Sequence, residues 1–272
     1  MRGIRDPAVA GVFYPASQIK LKEQVNILLS EAITNQKFSD VAGIVSPHAG
    51  YIYSGKTAAY GFNSSVNNNI ETVLIISPSH REYFKGISIY DGEAYRTPLG
   101  DVPLNKDVTE KIISDSKIIF KGNQGHRTEH AVEVQIPFLQ ILLKDFSIVP
   151  IVIGDQNRNI VYELADRIAP LVNNKTLIVA SSDLSHFYSR SAADKMDSIV
   201  EQNIANNDYE QLQCDLELGR CEACGGGAIV AMMRAANLAG KNKSKIVARS
   251  DSGDVTGDLS EVVGYLSSVT YS

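Results

Sequence analysis

Cysteine is scarce in this chain: Cys214, Cys221 and Cys224 are the only three among 272 residues, an odd number in a sequence that is 44% hydrophobic. That excludes a secreted scaffold stapled by disulfides and leaves reduced thiols or a metal ligand. Long hydrophobic runs are missing as well. No apolar stretch approaches the roughly 18–20 residues that cross a bilayer, and Met1 to Pro15 lacks the charged-then-apolar layout of a signal peptide. A cytoplasmic protein with no membrane partner is expected. Charge of one sign is not in excess: 26 basic against 31 acidic residues leave a net charge of -5, spread along the chain, which does not point to nucleic acid or to an anionic surface. No Pro/Gly/Ser-rich linker or low-complexity tract divides the sequence, and the polar stretch Asn63 to Asn69 is its only weak seam. One domain over residues 1–272 is therefore expected, large enough to bury roughly three quarters of its unfolded surface.

Several catalytic signatures are absent too. Gly225-Gly226-Gly227 has no following G-K-[ST], and no G-x-S-x-G occurs. Asp251 to Asp258 is rich in aspartate but departs from the spacing of a calcium loop, so a tight turn between strands is expected there.

What is present is a repeated arrangement. Three apolar runs, Val41 to Val45, Val73 to Ile76 and Leu177 to Ala180, each end in a serine-rich turn that delivers a histidine. The turns read Ser46-Pro47-His48, Ser77-Pro78-Ser79-His80 and Ser181-Ser182-Asp183-Leu184-Ser185-His186. Short β-branched runs bounded by turn residues read as buried parallel strands, and open α/β sheets place their chemistry beyond the carboxyl ends of such strands. Three of the five histidines are thus expected to face one crevice.

Strands and helices alternate along the rest. Leu21, Val25, Leu28 and Leu29 give helical spacing over 19–32, Ser54 to Phe62 reads as a second helix, and Ile87 to Tyr90 with Tyr95 to Leu104 reads as an antiparallel insertion. Helices are expected over 106–114, 129–143 with a kink at Pro137, 158–171, a pair within 191–218, and 225–239. Strands are expected over 147–153, 176–180, 245–249 and 261–269. The pattern predicts an α/β protein, a three-layer α/β/α sandwich with a central mixed sheet.

Neutral imidazole is a common ligand for iron, copper and zinc. His48 and His80 follow matched Ser-Pro turns, which favours a shared metal over two unrelated strand-end caps. Cys224 precedes a glycine-led helix, where the dipole lowers a thiol's pKa, although a small residue packed at a tight turn fits equally well. Cys221 and Cys224 form a lone C-x-x-C, which is weak support for structural zinc, and Cys214 is expected to be inert. Asp183 and His186 share one turn, as ligands, as an orienting carboxylate with an acid/base histidine, or with Asp183 merely capping a helix. His130 and Glu133, three apart, would share one helical face and either bind or stay solvated. His126, in a glycine-flanked loop, has no evident partner.

Taken together, the stretch Arg5-Asp6-Pro7-Ala8-Val9-Ala10-Gly11-Val12-Phe13-Tyr14-Pro15, the turn Ser46-Pro47-His48-Ala49-Gly50-Tyr51 with Ser54-Gly55, Pro78-Ser79-His80, and Glu129-His130 through Gln135-Ile136-Pro137-Phe138 resemble the Memo family. Ser181 to His186, Cys224-Gly225 and Val262-Val263-Gly264-Tyr265 extend the resemblance over nearly the whole chain. It implies the fold of class III extradiol dioxygenases and a metal site on His48, His80 and Cys224, holding Fe(II) or Cu, with Zn as the further candidate. Asp183, His186 and His130 would line the same pocket, His186 as an acid/base oriented by Asp183 and His130 as a hydrogen-bonding group. Glu133, Tyr51, Phe13 and Phe187 become candidate substrate contacts. A redox enzyme acting on a small molecule or dioxygen is implied, with radical-SAM system proteins as partners. The alternative is a non-catalytic module recognising a peptide or small ligand in the former active-site pocket. Two departures stand out. The family's animal members bind phosphotyrosine peptides through a pocket that includes tryptophan, and this chain has none; Phe13 and Phe187 occupy the aromatic positions. The third ligand is a thiolate where the dioxygenases use a carboxylate, so ring cleavage is not inherited.

Overall fold

The structure, a computed structural model, describes residues 3–34, 37–67 and 69–272. Its strands are β1 (Ile4–Arg5), β2 (Val41–Ser46), β3 (Thr72–Pro78), β4 (Ile87–Tyr90), β5 (Ala94–Thr97), β6 (Gly100–Pro103), β7 (Ile119–Gly122), β8 (Ser147–Ile153), β9 (Thr176–Ser181), β10 (His186–Tyr188), β11 (Lys243–Asp251) and β12 (Val262–Tyr271). Its helices are α1 (Gln18–Glu31), α2 (Tyr51–Ser65), α3 (Lys106–Ile113), α4 (Ile136–Leu142), α5 (Arg158–Ile168), α6 (Arg190–Ala205), α7 (Tyr209–Glu217), α8 (Gly226–Leu238) and α9 (Gly253–Thr256).

The main sheet runs β10-β12-β2-β9-β3-β8-β4-β7, with β11 pairing β12 at one end. Its centre, β2-β9-β3-β8, is parallel, whereas β12 and β4 join antiparallel on either side. Strands buried on both faces need apolar residues of both parities, and β3 supplies them. Val73 and Ile75 pack under α1, α2 and α4, while Leu74 and Ile76 pack under α5 and α8. Helices cover both faces, and the three-layer α/β/α arrangement with a mixed sheet follows. Among the described residues no helix is long and apolar enough to cross a membrane.

Some expected elements differ. The helix expected over 129–143 does not form as one piece: 129–130 are irregular, 131–132 form a turn, Glu133–Gln135 make a 3-10 turn, and α4 starts at Ile136. Pro137 then lies in the first helical turn, where its missing N–H costs nothing, so it kinks no helix. The presumed insertion divides in two. β4 enters the main sheet against β8, and β5 and β6 form a hairpin that pairs with β1 in a separate three-stranded sheet. The aspartate-rich turn contains the short α9 and closes on Gly257 at φ 73°. Within the polar seam, Asn63 to Ser65 belong to α2, and Asn68 lies outside the described residues.

A buried polar knot ties the N-terminal segment across the sheet's carboxyl edge. The Glu133 carboxylate accepts hydrogen bonds from the Arg5 guanidinium, from Ala8 N at 2.7 Å, from Val9 N at 3.1 Å and from the Tyr14 hydroxyl at 2.5 Å. Arg5 also donates to the carbonyls of His126 (3.1 Å) and Glu129 and stacks over Tyr95. His126 finds partners that its sequence neighbourhood does not show. Its Nε2 faces the Ser88 carbonyl at 3.2 Å and must donate, so Nδ1 accepts from the Tyr95 hydroxyl at 2.7 Å.

Removing one partner of a buried ion pair leaves the other charge uncompensated, at a cost of about 3–5 kcal/mol. Arg5→Ala is expected to lower unfolding stability by about that amount in urea titrations, and Arg5→Met with Glu133→Leu not to recover it, because Ala8 N, Val9 N and the Tyr14 hydroxyl would lose their acceptor. Burial pushes the His126 pKa down to about 3 from 6.5. The folded chain therefore refuses a proton that the unfolded chain accepts. This contribution is complete above pH 6.5 and is lost as the pH falls towards 3. In His126→Gln, the protons taken up on unfolding at pH 5 should fall by about one, read from the slope of stability against pH.

Candidate metal centre

The register of the central strands sets the site. Val45, Ala180 and Ile76 share one rung, so the chains of β2, β9 and β3 leave the sheet side by side, with β9 in the middle. Their turns carry His48, Asp183 and His80. The fourth contributor is the segment before α8, which approaches β9 closely because residue 225 is glycine: a Cβ there would lie 2.2 Å from the Ser181 carbonyl oxygen.

Hydrogen-bond accounting fixes both imidazoles. The Ser181 hydroxyl has one proton, which goes to the Ala131 carbonyl at 2.7 Å, and it accepts from the Gln135 amide at 2.8 Å. Its remaining neighbour, His48 Nδ1 at 2.9 Å, must therefore donate. Gln135 cannot be reversed, because the same amide nitrogen faces the Pro47 carbonyl at 3.0 Å. For His80 the anchor is Glu129, whose carboxylate accepts from His80 N at 2.7 Å, His80 Nδ1 at 2.9 Å, and the backbone N–H groups of His130 and Ala131 at 2.9 Å each. Burial works to raise the Glu129 pKa, but the hydrogen bond and charge of His80 prevail and bring it down to about 2. A carboxylate accepts only, so His80 also carries its proton on Nδ1. Both rings thus have Nδ1 tied to a fixed partner, which leaves Nε2 as the atom available for ligation.

His48 Nε2 lies 3.2 Å from Cys224 Sγ, and one donor atom from each of His48, His80 and Cys224 lies within 4.8 Å of the others. Two donors on one tetrahedral ion, at about 2.0 Å for nitrogen and 2.3 Å for sulfur, stand about 3.5 Å apart. The set fits a small metal ion in spacing and in chemistry. Burial and the neighbouring His80 hold His48 well below its usual pKa, which keeps it neutral. The Cys224 thiol behaves differently from the sequence expectation. Burial and the Asp183 carboxylate push it up. The amides that begin α8 are committed elsewhere, Gly226 N to the Ala223 carbonyl and Gly227 N to Gln156, so neither donates to the sulfur.

Asp183 spends its carboxylate on the His48 backbone N–H at 2.7 Å, and burial raises its pKa. Its backbone N–H meets Cys224 Sγ at 3.3 Å, and its carbonyl accepts from Cys224 N at 3.2 Å. It thus braces two of the three donors. Among the described residues no hydrogen bond joins it to His186, which sits on β10 where pairing with β12 is irregular. His186 lines two cavities, one of about 530 Å³ shared with His130 and Phe13, the other of about 380 Å³ shared with Cys224. His130 stacks on His80 with ring centroids 4.8 Å apart, and Phe13 lies against it in a tilted contact, also at 4.8 Å. Burial, then His48, lowers the His130 pKa to about 4.

The remaining expected contacts are dispersed. His130 precedes the 3-10 turn, so it shares no helical face with Glu133, whose fully buried carboxylate is taken up by the Arg5 knot. Tyr51 is buried and donates to the Val134 carbonyl at 2.6 Å. Phe187 projects into solvent from a left-handed backbone at φ 62°. Cys221 is buried, its thiol pushed up to about 11 by burial. Ser181, Gln135 and Glu129 orient the ligands, yet they lack any signature of their own. Glu129 is marked only by standing next to His130.

The model of the Memo-like protein family matches residues 5–269. A MEMO1 family protein of Thermoplasma acidophilum is 39% identical over 268 residues, covering 98% of this chain and 98% of the relative. Another, from Thermotoga neapolitana, is 37% identical over 278 residues, 98% of this chain and 99% of the relative. Among solved structures, an uncharacterized protein of Escherichia coli K12 superposes with a TM-score of 0.52 at 14% identity, over 84% of this chain and 98% of that one, a likeness of fold alone. With a family match across nearly its entire length and relatives of this similarity, the chain belongs to the Memo family.

Proposed function

We propose that this Memo family protein is a cytoplasmic metal-dependent redox protein that holds one Fe(II) or Cu ion on His48, His80 and Cys224 and acts on a small molecule or dioxygen. The observation that supports it is the convergence of two imidazoles, each with Nδ1 tied back by Ser181 or Glu129, on a sulfur 3.2 Å from His48 Nε2. A bound iron or copper ion would supply the one-electron chemistry that the chain's own side chains lack. Zinc is the competing ion for the same donor set.

The chain's residues would do the rest. Phe13 and the stacked rings of His80 and His130 shield the donors from water on one side. His186, at the border of the two cavities, is placed to take or give a proton to a ligand in either. Asp183 holds the backbone of residue 48 and the sulfur of residue 224 in position.

Wild-type protein purified without a tag is expected to carry about one iron or copper per chain by mass spectrometry, and Cys224→Ala at least tenfold less. Equal, full occupancy in the two would remove the ligand assignment. Oxygen consumption in the presence of a reductant tests the catalytic part. It should fall by at least a factor of ten in His48→Ala; unchanged consumption would leave a binding module as the better reading.

A further inference from the structure

We infer that the cavity over His130 and His186 takes a neutral molecule with an apolar body and one oxygen-bearing head, and turns anions away. This deepens the function proposed above, on which it rests only for what happens to the head. The cavity measures about 530 Å³, within the size range of small-molecule sites. Its walls are Val12, Phe13, Ile52, Tyr53 and Val263, and His130, His186 and Asp183 supply polar groups.

Among the described residues neither lysine nor arginine lines it. Arg190, beyond α9, is committed to Asp251 and Asp254. An anion entering would lose its hydration with no cationic side chain in compensation, and the charge of an ion held on His48, His80 and Cys224 would be offset by the Cys224 thiolate and by the adjoining Asp183 carboxylate. Recognition of phosphate by bidentate arginine or clustered cations is not available among the described lining residues. A neutral head, in contrast, meets the imidazoles of His130 and His186, which line the cavity, His130 with its Nδ1 held 3.3 Å from the Glu129 carboxylate. The apolar body finds surface that is otherwise left in water, since Val12, Ile52 and Tyr53 are 78%, 60% and 39% exposed while lining the same cavity.

A matched pair of probes tests the inference on the full chain as purified, with metal content measured on the same sample. Calorimetric titration with 4-hexylphenol and with 4-hexylphenyl phosphate is expected to show the phenol binding at least tenfold more tightly. Ile52→Glu should weaken the phenol at least tenfold at unchanged metal content. Residue 52 lies in the first turn of α2, where an acidic side chain suits the helix dipole, so the variant should fold. Equal or tighter binding of the phosphate, binding of neither probe, or an Ile52→Glu variant with unaltered phenol affinity would overturn the proposal. A change of oligomeric state in that variant with affinity unaltered would overturn it too, by assigning the apolar rim to a second copy of the chain. Metal in the wild type with preference for the phosphate defeats this inference alone. Preference for the phenol in a protein that holds no metal defeats the metal centre alone.

Discussion

The placement of β9 between β2 and β3 is the constraint from which the site follows. These strands are 41–46, 176–181 and 72–78 in the chain, so the middle one comes last, and all three run parallel. A parallel sheet places every carboxyl end on one edge, and the change of strand order opens a crevice there. With Val45, Ala180 and Ile76 level, the turns that follow begin at the same height, and Ser181 lies within reach of His48. A one-residue slip of β9 would turn Ser181 to the opposite face and take the anchor of His48 with it.

Two carboxyl groups then divide the work of holding the histidines. Glu129 grips both the backbone and the ring of His80, and Asp183 grips the backbone of His48 while its own main chain meets Cys224. Neither is among the three donors assigned to the proposed ion. Their value is that each imidazole is fixed in tautomer and direction before anything binds, so little conformational freedom remains to be lost.

Much of this was legible in the sequence because it depends on local chemistry. Apolar runs of both parities announced strands buried on two faces, and matched Ser-Pro turns announced histidines at their ends. Long-range pairing was not legible. The spacing of His130 and Glu133 suggested a shared face, but the carboxylate of Glu133 is claimed by Arg5, 128 positions earlier, and no periodicity encodes that. β4 reads as part of an antiparallel insertion because a four-residue strand does not announce its neighbours; its pairing with β8 supplies them. The thiol of Cys224 was placed at a helix start, yet the free amides there are taken by Ala223 and Gln156, which only the fold shows.

The contact between Cys224 and His48 joins residues 176 positions apart. A site closed by so distant a pair has no counterpart in the unfolded chain, and no fragment lacking either end can assemble it. Any ion gripped there is therefore linked to the folding of the whole molecule. At a hundredfold excess over its dissociation constant, it would add about 2.7 kcal/mol to global stability. The supply of that ion would then help decide how long the protein survives, as well as what it can do.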